Sequence, residues 1–184
     1  MKKYIILLFV LCISPVGNLL AKNIIADSLV FVYSLHGQTR RYETTFEEKG
    51  DTLYMNWGIE RNLKWQSGSY GMGKKSVAEA IRLSFLQPED GKHVQLPSEE
   101  TVAILSQAAY KQLKEHNSFV YNQTKYSVLD TNEKTMGHNL IHVIDNVEGC
   151  EIWILDNPRI PIVWRMRNNP LGINWEVQQI SSHK

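Results

Sequence analysis

The chain has 184 residues, with 20 Lys and Arg against 19 Asp and Glu and a formal net charge of +1. So balanced a charge gives no footing for a nucleic-acid or anionic-membrane partner. A hydrophobic share of 43% over this length supports one sizeable core.

Residues 1–21 read as a secretory signal peptide. Lys2 and Lys3 make a positive start, Tyr4 to Ile13 an apolar run too short to span a bilayer, and Ser14-Pro15 a break. Asn18-Leu19-Leu20-Ala21 offers cleavage after the small Ala21. Phe9-Val10-Leu11 lack the small residues that lipidation at Cys12 would need. The expectation is export, periplasmic or secreted, with no transmembrane segment after cleavage. Loss of Lys2 and Lys3 moves the formal charge from +1 to −1. Of the two cysteines only Cys150 then remains, so no internal disulfide forms even in an oxidising compartment. Residues 22–184 read as a single α+β domain.

Asp27 to Leu35 alternates as a strand, with Leu29, Phe31, Tyr33 and Leu35 on one side. His36-Gly37-Gln38 turns it. Arg40 to Glu47 alternates again, placing Tyr42, Thr44 and Phe46 together, and Gly50 suits the hairpin turn that follows. Leu53, Met55 and Trp57 continue that side on a third strand. Gly58 to Lys75 is glycine-punctuated, but its spacing fits neither the dinucleotide fingerprint nor the phosphate loop, which leaves a flexible turn. Ser76-x-x-Glu79 is a capping-box pattern ahead of a short helix to Phe85. Gln87 to Gln95 is a polar loop. Pro97-Ser98-Glu99-Glu100 then predicts a second helix with an acidic first turn, its stripe Val102, Leu105, Ala109 and Leu113, and Asn117 its C-cap.

From Phe119 the pattern returns to β. Residues 119–129 fit one long strand or a tight hairpin, and Thr131 to Gly137 is a polar connection. Leu140 to Asp145 is a strand. Cys150 to Leu155 and Ile160 to Met166 form a hairpin about Asp156-Asn157-Pro158-Arg159. In it Glu151, Trp153 and Leu155 share one face and Cys150, Ile152 and Ile154 the other; both faces are largely apolar, which predicts a central position. Ile173, Trp175 and Val177 alternate in a final strand before a frayed tail at Ser181 to Lys184. Strands this segregated from helices predict an α+β fold: a curved antiparallel sheet of about eight strands, wrapped around two helices inserted mid-chain.

The exported start, the long meander, the inserted helices and the run from Glu151 to Ile162 (E-x-W-I-L-D-N-P-x-x-P-I) together resemble the periplasmic half-barrel proteins. That group comprises the lipoprotein-localisation carriers and related periplasmic domains of unknown function. The resemblance implies an open, curved sheet around helices, sometimes holding an acyl chain or another apolar ligand. It carries no residue role across.

Among groups capable of chemistry, His138 and His142 share a strand face but stand about 13 Å apart, too far for one metal. A nucleophilic pair of Cys150 with His142 would need strand pairing to bring them together; otherwise Cys150 is a small buried hydrophobe. Glu99, Glu100 and Glu115 read as a solvated helix face, and Asn122-Gln123-Thr124 matters as a glycosylation site only in a eukaryotic secretory route. The five tryptophans all fall in or near predicted strands. Trp57, Trp153, Trp164 and Trp175 are the candidate walls of an apolar ligand site, the alternative being that they fill the core. The leading expectation is an exported, non-catalytic binding or carrier-like domain for an apolar small molecule, lipid or lipoprotein. An envelope structural or protein-interaction module is the alternative, and a thiol-dependent hydrolase the third. No cofactor or metal is expected.

Overall fold

The computed structural model describes residues 27–182. The signal-peptide expectation for residues 1–21 lies outside them. The described chain runs β1 (Asp27–Leu35), β2 (Gln38–Lys49), β3 (Thr52–Arg61), β4 (Lys64–Gly73), α1 (Lys74–Glu79), β5 (Arg82–Leu83), β6 (His93–Gln95), β7 (Glu100–Thr101), α2 (Gln107–His116), β8 (Ser118–Tyr121), β9 (Thr124–Thr135), β10 (His138–Asp145), β11 (Glu151–Leu155), β12 (Val163–Arg167) and β13 (Ile173–Ser182). The class is α+β, and the sheet is rich in antiparallel pairs.

That sheet has eleven strands in the order β6-β4-β3-β2-β1-β13-β12-β11-β10-β9-β8, where about eight were expected. Two meanders meet where the first and last strands pair, from Leu35 opposite Ile173 to Asp27 opposite Ser182. The frayed tail expected from Ser181 is therefore strand as far as Ser182. The sheet is mixed, because β6 lies parallel to β4. Tight turns set the register of four hairpins: His36-Gly37, Asn62-Leu63, Asn122-Gln123 and Met136-Gly137 all carry positive φ at both positions, the hand that matches strand twist.

The segment expected to be a flexible turn is strand. Gly58 pairs with Ser67, and Gly68 with Trp57, in an unbroken β3–β4 ladder. Their glycines are explained by packing rather than by φ: a Cβ on Gly68 would stand 2.4 Å from the Lys92 carbonyl oxygen and 2.7 Å from Cζ2 of Trp57. Residues 119–129 resolve as the tight hairpin, and β9 runs on to Thr135 through residues expected as a polar connection.

Both helices are shorter than the patterns suggested. In α1, Ser76 is a buried interior residue whose hydroxyl donates to the Glu100 carbonyl, so it caps nothing, and the helix stops at Glu79. Residues 97–105 are not helical. Ala103 has φ of 55°, Val163 N donates to Ala103 O at 2.8 Å, and Leu105 N donates to Pro161 O at 3.0 Å. These backbone bonds to the segment before β12 satisfy the groups that a helix would have used internally. Helix α2 begins after Ser106, whose side chain accepts from Ala109 N, and ends at a left-handed Asn117, as expected. The hairpin β11–β12 is central and bulged, and its return strand starts at Val163 rather than Ile160.

One sheet face carries Phe31, Phe46, Met55, Met72, Ile152 and Met166, all buried. Residues 74–117 cover part of this face; Val102 N, for instance, donates to the Met72 sulfur at 3.4 Å. No helix among the described residues is long and apolar enough to cross a membrane.

Candidate functional site

Alternation along β1, β2, β3 and β13 aims one aromatic after another at the covered face. Tyr33 meets Tyr42 edge-on at 5.5 Å and Trp175 at 5.4 Å, and Tyr42 meets Trp57 edge-on at 6.0 Å. Against this wall lies a cavity of about 430 Å³, closed from above by residues 84–88 and by Val102 and Ala103. Its size is that of a small-molecule site.

The strap over the cavity is pinned at both ends. Ser84 N donates to Thr101 O at 2.8 Å, and at the far end Ser67 N donates to the Asp90 carboxylate at 3.0 Å while Gly91 N donates to Ser67 O at 2.8 Å. Phe85, near the first pin, sits 6.1 Å from Trp175. Trp175 has its indole N–H satisfied by Val163 O at 2.9 Å, so the ring can present its apolar surface without an orphaned donor.

The polar groups of the cavity are mostly donors. Burial raises the Tyr33 hydroxyl well above the ordinary phenol range and pushes Tyr70 up to about 12; nearby Tyr42 adds to both shifts. Both therefore remain protonated at neutral pH. The Tyr70 hydroxyl is buried and has no hydrogen-bond partner. Arg40 also lines the space, and no Asp or Glu does so among the described residues.

A second cavity of about 310 Å³ lies under β9 to β12, with Leu105, Ile152, Met166 and Cys150 in its lining. Phe85 is the one described residue common to both cavities.

Of the four tryptophans singled out in the sequence, the structure brings Trp57 and Trp175 to the first cavity and places the other two elsewhere. Trp153 belongs to a cross-strand row on the opposite face. His142 stacks on it at 4.0 Å, the Arg165 guanidinium sits 4.9 Å from its ring, and its N–H donates to Glu133. Trp164 is the residue skipped by the β11–β12 register at the bulge; it is fully buried, 5.5 Å from His138. The sequence pass missed Tyr33, Tyr42, Tyr70, Arg40 and Phe85. For the first three the signal was present, since the tyrosines share the alternation that located Trp57.

The groups considered for catalysis are not assembled. His142 Nε2 engages Glu151 at 2.7 Å and stacks on Trp153. Cys150 is buried beside Tyr126, and burial pushes its thiol up, away from the thiolate a nucleophile requires. Asp145 accepts from Val147 N and Glu148 N at 2.8 and 3.0 Å and so shapes the turn before Cys150. Asn122 of the glycosylation pattern is engaged at both ends of its amide with Leu83. No cluster of His, Cys, Asp and Glu among the described residues is arranged to hold a metal. Comparison with family models, curated proteins and solved structures returns no match.

Proposed function

We propose that this chain is a non-catalytic binding or carrier-like domain, exported, with an apolar ligand held in the hollow of a curved sheet under residues 84–103. Sheets of this many strands curl rather than stay flat, and the reading keeps the likeness to the periplasmic half-barrel proteins as its frame. The observation that carries it is the cavity itself: about 430 Å³, walled by Trp57, Tyr42 and Trp175 and closed by a strap. A well-packed core leaves few voids larger than a water molecule, so unfilled volume beside that many aromatic rings favours a ligand over mere core filling.

Native mass spectrometry and solvent extraction of protein purified from its own host test this. A retained apolar molecule is expected, lost or exchanged more readily in Trp175→Ala. Protein that carries nothing, and that takes up no added apolar fluorophore, would overturn the proposal.

A further inference from the structure

We propose that the occupant is a single-chain carboxylate amphiphile, its head taken by Arg40 and the Tyr70 hydroxyl and its chain length set by Phe85. This rests on the binding reading above and adds the ligand's chemical class.

The head follows from what the cavity lacks as well as from what it offers. The Tyr70 hydroxyl lines the space, its residue is 4% exposed, and the oxygen has no partner. A buried hydroxyl left unmatched costs about 1–3 kcal/mol, so the position favours a ligand with an acceptor. Arg40 projects from the same side of β2 as Tyr42. Its one side-chain hydrogen bond goes to Gln38 at 3.4 Å, and none of the ion pairs among the described residues uses it. A guanidinium and phenol hydroxyls, with no acid in the lining, form a donor set matched to a carboxylate, which accepts two parallel bonds from an arginine and keeps lone pairs for a phenol. A single guanidinium balances one negative charge, which favours a carboxylate over a dianionic phosphate.

The tail follows from the partition. Phe85 lines both cavities, and its ring rests against Trp175. Beyond it, Leu105, Ile152 and Met166 offer apolar surface that a chain confined to the first cavity never reaches. Phe85 is only partly buried and lies on the strap between its two pinned ends, so shortening its side chain opens the way without emptying the core.

The test is isothermal titration of the full-length protein with octanoate, dodecanoate and octadecanoate, their methyl esters, and dodecyl phosphate. Dodecanoate should bind at least about tenfold more tightly than its ester, the worth of one charge-assisted hydrogen bond, and more tightly than the phosphate. Arg40→Gln should remove the preference for acid over ester and leave ester binding unchanged. Phe85→Ala should move the optimum toward octadecanoate, with Phe85→Leu as a milder variant in case the alanine form folds poorly. Equal binding of acid and ester, tighter binding of the phosphate, or an unchanged chain-length order in both Phe85 variants overturns this inference while leaving the binding reading in place. If neither acids nor esters bind, both fall.

Discussion

At Gly68 the protein has no room for a methyl group, and the identity of the obstructing atoms decides how much one would cost. The nearest is a backbone carbonyl oxygen, that of Lys92, and behind it stands the Trp57 ring, 5% exposed. At Gly58 an added Cβ meets only the Trp65 ring, at 2.2 Å, and that ring is 56% exposed. The closer clash is therefore the cheaper one, because an exposed indole can swing away while a strand carbonyl cannot. Gly68→Ala should lower stability by about 1–3 kcal/mol, with a clearly smaller loss for Gly58→Ala, both read from urea midpoints. Equal losses would sink the argument. These glycines also show why β4 was illegible. Gly68, Gly71 and Gly73 resemble loop punctuation in the sequence, and only the Trp57 ring and the neighbouring β6 explain two of them as strand residues.

Among elements, the inserted segment is where sequence patterns misled. Val102, Leu105, Ala109 and Leu113 have helical spacing, and each is buried, yet only the last two lie in α2. The earlier part is held by tertiary partners. Thr101 Oγ1 donates to Ile104 O at 2.7 Å, which leaves its lone pairs for the Tyr121 hydroxyl at 2.9 Å; that hydroxyl in turn accepts from Ser106 N at 3.2 Å. The Ser106 hydroxyl donates to Ala80 O at 2.7 Å. This network ties β7, α1 and the α2 cap to β8, and nothing in local propensity announces it. Thr101→Val keeps the shape but leaves two buried groups unserved, so a loss of about 1–3 kcal/mol is expected in chemical denaturation. Thr101→Ser should recover most of it. A valine variant as stable as the parent would mean that the network holds nothing. By contrast β1, β2, β3, β10 and β13 were legible, because simple alternation of apolar residues is a local signal that needs no knowledge of the neighbours.

For the whole molecule, the organising fact is that strands from opposite ends of the chain pair in the interior of the sheet. β13 alone joins β1 to β12, through Tyr33 opposite Trp175 and Met166 opposite Trp175. Removing the residues after Pro170 should therefore do more than trim an edge: it exposes β1 and β12 together and takes away one cavity wall. Thermal circular dichroism of that truncation should show no cooperative transition. A transition kept near the parent temperature would mean that the two meanders are independent. The sequence made each meander legible but not their junction, since pairing between residues so far apart leaves no trace in local pattern. The candidate site was half legible for the same reason: Trp57 and Trp175 follow from alternation, while Phe85 needs the strap's path across the sheet.

The central seam also fixes a timetable. Because the strand that completes the sheet is made last, a growing chain can assemble its first meander but must leave β1 with a bare flank until synthesis is nearly over. Long-range closure of this kind is slow compared with local folding, and an unmatched strand flank is a hazard while it lasts. The same delay is useful to any machinery that threads polypeptides in extended form, for it keeps the newly made protein open until the final residues arrive.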